Sequence, residues 1–376
     1  MKTKLSLALY CLLVVSTFGC SIDVAPQAVS TPSSEVAPIG PQPPAGTDNP
    51  APSTENTLVP VTWSELNLTG KLVYAGASVT AVTPINIQTL DLITGEIKTL
   101  FTTTGDAWVY YITVSPDGKQ LVMSYAPPSE GAAVSSRALY IMPMDGTKPP
   151  QLLFQPPTPD DHYIHVEWSP DGQYIYYVHY NNLERTEGAL YPVYHLYRMT
   201  FPDGQPEKVA EKAFWPRISA DSSRMVYVSL DPASGTNELF VANADGSNPQ
   251  KLSLSGSYLP GIIDAPIFSP DGSSVLFSAP PPLQAHQPNW FEKLLGVQVA
   301  KAHAIPSDWW SVPATGGELT RLTQIQTINL FASISPDKNR IASVSGEGLF
   351  VMGWDGSNIT QLLFDPGISG TVSWLP

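Results

Sequence analysis

Apolar and polar positions alternate along this chain in short runs, and the runs recur. YYITV at 110–114 and YIYYVH at 174–179 are typical. Such stretches place β-branched and aromatic residues at strand spacing and end at Pro, Asp, Gly or Asn, so they predict β-strands joined by tight turns. One phrase punctuates them. VSPDGKQLVMSY begins at Val114, WSPDGQYIYYVH at Trp168, FSPDGSSVLFSA at Phe268 and ISPDKNRIASVS at Ile334. A worn copy, ISADSSRMVYVS, begins at Ile218. The period is about 50 residues, the signature of a repeat architecture. Within the phrase, Pro presets φ, Asp tolerates the next turn position and Gly takes the last. SPDG is therefore a turn between two strands, and Asp117, Asp171 and Asp271 are structural.

A second phrase follows each of these hairpins. It reads ALYIMPMDGTKPPQLLF from Ala138, HLYRMTFPDGQPEKVA from His195 and ELFVANADGSNPQKLS from Glu238. WWSVPATGGELTRLT follows from Trp309 and LFVMGWDGSNITQLLF from Leu349. Two hairpins make four antiparallel strands, one blade of a β-propeller. Five units have both halves. The N-terminal part has three strands only: GKLVYA from Gly70, NIQTLDL from Asn86 and GEIKTLF from Gly95. GTVSWLP at 370–376 supplies a fourth, with Trp374 aligned to Trp168 and Pro376 to Pro170. The expectation is an all-β, six-bladed propeller over 61–376. The C-terminal strand joins the N-terminal blade, closes the ring and leaves no free edge.

The SPDG phrases with their DG turns resemble the TolB-like propeller repeats, over nearly all of 66–376. The resemblance implies the propeller fold and says little about function. TolB itself has a further N-terminal α/β domain where this chain has a tether. Peptidases with related propellers append a hydrolase domain, for which no sequence is seen here.

Residues 1–19 carry Lys2 and Lys4, an apolar run from Leu5 to Val15 and a small-residue cleavage site, and read as a signal peptide. Gly19-Cys20 resembles a lipobox, with Cys20 the lipidated residue, although Thr17 stands where Leu is usual. Residues 20–60, with PQPPAGTDNPAPSTEN, have almost no large apolar residue and read as a disordered tether. The expected location is the cell envelope, periplasmic or surface, with the membrane reached through a lipid anchor. Removing 1–19 takes away two lysines and no acid, moving the net charge from −14 to −16. That argues against nucleic acid as a partner. The chain has two cysteines, Cys11 and Cys20, so the propeller holds no thiol for a disulfide, zinc or nucleophilic catalysis.

Function is expected on the face opposite the SPDG turns, where the longer loops lie. Aligning the inner strands on their SPDG serines gives a polar column two residues earlier, including Thr113, Glu167, Arg217 and Ser333. Glu167 and Arg217 fall at one level in adjacent blades, so an ion pair near the channel is expected. Asp160, Asp161, His162 and His165 form the densest polar cluster; a metal there would need His162 to lie outside the strand. Calcium is a candidate ligand through Asp160 and Asp161; no other cofactor is expected. Trp108, Tyr110, Tyr163 and Trp215 are candidate aromatic contacts at the mouth, and Asp264 a candidate acid. In the insert at about 280–307, Asn289 caps an expected helix bearing Trp290, Phe291, Leu294 and Leu295 on one side.

No Gly-x-Ser-x-Gly elbow, phosphate-binding Gly loop or His-Glu-x-x-His occurs. The expectation is a monomeric, non-enzymatic module that binds an envelope protein or peptide. The alternatives are a carbohydrate-active or other hydrolytic propeller, with acids such as Glu167, Asp264 or Asp308, and a sensor for calcium or a small ligand.

Overall fold

The computed structural model describes residues 61–77, 84–129, 136–184, 188–189, 191–282, 305–328, 330–365 and 367–376. By packing, the chain divides between Leu58 and Val59. The signal segment, Cys20, the tether and the helix expected from Asn289 all lie outside the described residues.

Six four-stranded antiparallel sheets form a six-bladed propeller. Blade 1 holds β1 (Lys71–Ala77), β2 (Ile85–Asp91) and β3 (Ile97–Thr102). Blade 2 holds β4 (Trp108–Val114), β5 (Gln120–Ala126), β6 (Ala138–Pro143) and β7 (Gln151–Phe154). Blade 3 holds β8 (Asp161–Trp168), β9 (Tyr174–Asn181), β10 (His195–Thr200) and β11 (Glu207–Glu211). Blade 4 holds β12 (Ala213–Ile218), β13 (Arg224–Leu230), β14 (Asn237–Asn243) and β15 (Gln250–Lys251). After β16 (Leu254–Ser255), blade 5 holds β17 (Asp264–Phe268), β18 (Ser274–Ala279), β19 (Asp308–Pro313) and β21 (Thr320–Arg321). Its β20 (Gly317–Glu318) pairs in parallel with β16, a two-stranded link the repeat did not announce. Blade 6 holds β22 (Phe331–Ile334), β23 (Arg340–Ser345), β24 (Gly348–Gly353) and β25 (Thr360–Phe364).

The last strand, β26 (Ile368–Leu375), completes blade 1 as its innermost strand, with Lys71 opposite Leu375 and Leu72 opposite Trp374. It also packs between β22 and β4, closing the ring. Thr371 adds a latch: its Oγ1 accepts from Ile112 N at 2.8 Å and donates to Ile112 O at 2.6 Å. Trp374 Nε1 donates to Thr69 O at 3.0 Å.

Burial explains the composition of each strand rank. Second strands lie between neighbouring blades, and β5 and β13 are buried almost throughout, which is why their sequences are nearly continuous apolar runs. Outermost strands β3 and β11 expose most of their residues, and their sequences are correspondingly more polar. The short helix α1 (Trp63–Leu66) has no counterpart in the repeat; its Trp63 ring lies against Gly95. No helix among the described residues is long and apolar enough to cross a membrane.

Each inner turn has one hydrogen-bond scheme. Ser169 Oγ donates to Asp171 Oδ1 at 2.6 Å and accepts from Tyr174 N at 2.8 Å. Asp171 Oδ1 also accepts from Gln173 N at 3.0 Å. Ser115–Asp117, Ser219–Asp221, Ser269–Asp271 and Ser335–Asp337 repeat the scheme. The phrase is therefore fixed by its own hydrogen bonds. The fourth turn position is left-handed, at φ +69° in Gly118, +73° in Gly172 and +67° in Gly272. In the two copies without that glycine, Ser222 and Lys338 adopt the same conformation, at φ 58° and 62°.

Candidate binding site at the channel and its loop-rich mouth

Every inner strand runs from the loop-rich face to an SPDG-type turn or, in blade 1, to Pro376. In blades 3, 4 and 5 it carries a β-bulge at one level, and the first bulged residue is left-handed: His165 at φ 49°, Trp215 at 56° and Ala265 at 47°. A bulge re-aims the side chain it carries. Here it turns Trp215 into the middle of the ring. The indole stacks on His165 with centroids 3.7 Å apart and planes 12° apart. It meets Tyr111 of blade 2 at 5.5 Å and Phe331 of blade 6 at 4.9 Å. Blade 5 offers only Ala265 at this level, and Trp215 fills the space.

The Trp215 main-chain N–H donates to His165 Nδ1 at 3.2 Å, and Nε1 donates to Asp264 Oδ1 at 3.3 Å. The plug thus joins blades 3, 4 and 5 by polar as well as ring contacts. His165 is 6% exposed and Trp215 6%, so neither ring presents a face to solvent.

Two residues nearer the turns, Arg217 Nη1 pairs with Glu167 Oε2. The Arg217 Nη2 group reaches across the ring to Ala332 O of blade 6 at 3.5 Å. Burial raises the Glu167 carboxyl above its ordinary range, with Arg217 opposing it.

Asp160, Asp161 and His162 lie apart from His165, at the loop-side start of β8. Asp161 is buried. Its Oδ1 accepts from His179 Nε2 at 2.7 Å and from Asn181 Nδ2 at 2.9 Å. Its Oδ2 accepts from Thr158 N at 2.9 Å and Thr158 Oγ1 at 2.6 Å. Burial works against the carboxylate, but these donors win and hold the group at about 2. His162 lies inside β8 and meets Arg137 and Asn182, whereas His165 meets Trp215, so the two imidazoles do not converge. His162 Nδ1 accepts from Arg137 N at 3.2 Å, and Nε2 lies 2.7 Å from Asn182 Nδ2. Burial first, then Arg137, lowers this imidazole to about 4, so it is neutral at pH 7. No group of three His, Cys, Asp or Glu among the described residues is arranged to hold a metal.

Tyr163 is buried and stacks on Phe154 of the preceding blade, 5.5 Å away at 9°. Trp108 is half-buried at the start of β4, and Asp160 is half-buried just before β8. The Tyr110 side chain lies outside the described ones. The structure therefore divides the sequence candidates. His165, Trp215 and Asp264 share one cluster, Glu167 and Arg217 lie beneath it, and Asp160 to Tyr163 form a separate rim. Asp308 belongs to none of these: fully buried, it binds Arg321 Nη2 at 2.6 Å and Gln326 N at 3.1 Å. Tyr111 and Phe331 stand four residues before their turn serines, as His165 does, and that shared spacing is the sequence signal for the rest of the plug. Two exposed leucines at the loop-rich face carried no sequence signal, Leu183 at 75% and Leu259 at 55%.

No family model matches the chain. Several solved structures share its fold. TolB from Acinetobacter baumannii is similar with a TM-score of 0.55 at 15% identity, over 82% of this chain and 67% of that one. A chain of a nidogen–laminin complex is similar with a TM-score of 0.56 at 8% identity, over 81% and 98%. An oligogalacturonate lyase in complex with manganese is similar with a TM-score of 0.50 at 15% identity, over 78% and 74%. At these identities the likeness is one of fold, and these three proteins show that one fold serves different ends.

Proposed function

We propose that this chain is a non-enzymatic binding module that takes a protein or peptide partner at its loop-rich face. The observation that carries the reading is how the mouth spends its groups. Asp161 is engaged by four donors and Asp264 by the Trp215 indole, all within the fold. Leu183 and Leu259 instead stand out to solvent from the same face. Apolar side chains held out by a rigid ring suit a protein surface better than a reacting small molecule. The occurrence of a similar fold in a nidogen–laminin complex is in keeping with this.

Export and lipid attachment at Cys20 complete the proposal, with 20–60 as the spacer that holds the propeller off the membrane. Affinity capture from envelope extract tests it, with the full chain and a Leu183→Asp, Leu259→Asp variant as baits. A partner saturably held by the first and lost by the second supports the reading. A partner held equally by both moves the site elsewhere. Metabolic labelling with a radioactive fatty acid, lost in Cys20→Ser, tests the anchor.

A further inference from the structure

At the level of the Glu167–Arg217 pair, each inner strand is held by the second strand of its own blade. Thr113 pairs with Val122, Glu167 with Tyr176, Arg217 with Val226 and Ile267 with Leu276. Ser333 pairs with Ala342 and Ser373 with Val73. These six positions make a belt at one level of the inner strands, on the turn side of Trp215 and its ring partners, and Arg217 spans it from Glu167 of blade 3 to Ala332 O of blade 6.

The belt has unspent hydrogen-bonding capacity. Thr113 Oγ1 accepts from Trp168 N at 3.2 Å and Ser333 Oγ from Trp374 N at 3.0 Å. Neither hydroxyl donates to an acceptor among the described residues, although Thr113 is only 6% exposed. Glu167 uses Oε2 for Arg217, and Oε1 has no hydrogen-bond partner among the described residues. Arg217 uses one N–H of each terminal nitrogen, and a guanidinium has five to give. Their side chains remain 15% and 19% exposed, so water reaches them. Glu167 accepts, Arg217, Thr113 and Ser333 donate, Ser373 adds a further hydroxyl, and the Ile267 wall is apolar. A lone anion would meet Glu167 and a lone cation Arg217. A molecule with both charges a few ångströms apart satisfies each corner at once.

We propose that this end of the channel is a site for a small zwitterion of the α-amino acid class. Its ammonium sits on Glu167 Oε1, and its carboxylate on Arg217 with the Thr113 and Ser333 hydroxyls. The site faces the turns, opposite the mouth discussed above, and does not depend on that reading.

Calorimetric titration of the full chain at low salt tests it, with L-alanine as probe and ethylamine and acetate as its two halves. The expected result is saturable one-to-one binding of L-alanine, with both halves at least tenfold weaker. In Glu167→Gln, L-alanine weakens at least tenfold while acetate tightens, because Arg217 is no longer neutralised. A purely structural ion pair would not produce that crossover. In Ser333→Ala, which leaves the ion pair intact, L-alanine weakens severalfold; this variant decides the matter if Glu167→Gln does not fold. No saturable heat with L-alanine overturns the proposal. So do halves that bind as well as the whole, or a Ser333→Ala protein that binds L-alanine like the wild type.

Discussion

The His165 imidazole and the Trp215 indole lie face to face, 3.7 Å between centroids, while the Trp215 main-chain N–H donates to His165 Nδ1 at 3.2 Å. Both contacts depend on a left-handed backbone at Trp215, φ 56°, a conformation that costs an L-residue about 1–2 kcal/mol. The ring's packing against four aromatic neighbours offsets that cost. Trp215→Ala should therefore destabilise by about 3–5 kcal/mol. Trp215→Gly loses the same ring but accepts the backbone without strain, so it should be no less stable than the alanine variant. Urea denaturation of both variants checks the order.

Lys338 occupies the turn position that glycine fills in the intact SPDG copies. Lys338→Gly should raise stability by about 1 kcal/mol, since a left-handed lysine is relieved at an exposed site. Ser222→Gly should gain less, because Ser222 Oγ accepts from Asp171 N at 3.1 Å and that bond would be lost. Denaturant midpoints at constant m-value are the readout.

Asp161 gives the acid response of blade 3. Its folded pKa, about 2, lies below the ordinary aspartate value, so it contributes stability above about pH 4. That contribution, about 2 kcal/mol, is lost as pH falls from about 4 toward 2. Asp161→Asn should remove it at pH 7 and narrow the gap between variant and wild type at pH 2. Unfolding curves at the two pH values check this. Asp221 and Asp271, also held at about 2 by serine and main-chain donors, should add to the wild type's acid lability in the same direction.

The blades were legible because the inner turn is a local device. The Ser and Asp side chains bond to one another and to main-chain N–H groups within five positions, so the pattern is written contiguously. Closure was legible for the same reason: Trp374 repeats Trp168, and the strand it marks lacked only a sheet. The polar column, read by alignment, placed Glu167 opposite Arg217, because equal register in adjacent blades puts them side by side. The bulges were not legible. Nothing in the residue types marks a left-handed backbone at 215, and the ring partners that hold 165 and 215 come from blades 2, 3, 4 and 6. The state of Asp161 was hidden similarly, since His179 and Asn181 reach it from the neighbouring strand β9.

Which face meets a partner is the most consequential question left to experiment. A photo-crosslinking residue placed in the full chain at Leu183 or Leu259 reports on the loop-rich face. The same residue at Ile93 or Ile359, 59% and 38% exposed, reports on the turn face. In envelope extract the account predicts one saturable crosslinked species at 183 and 259 and none at 93 and 359. Crosslinking confined to 93 and 359, or absent from all four, would contradict it.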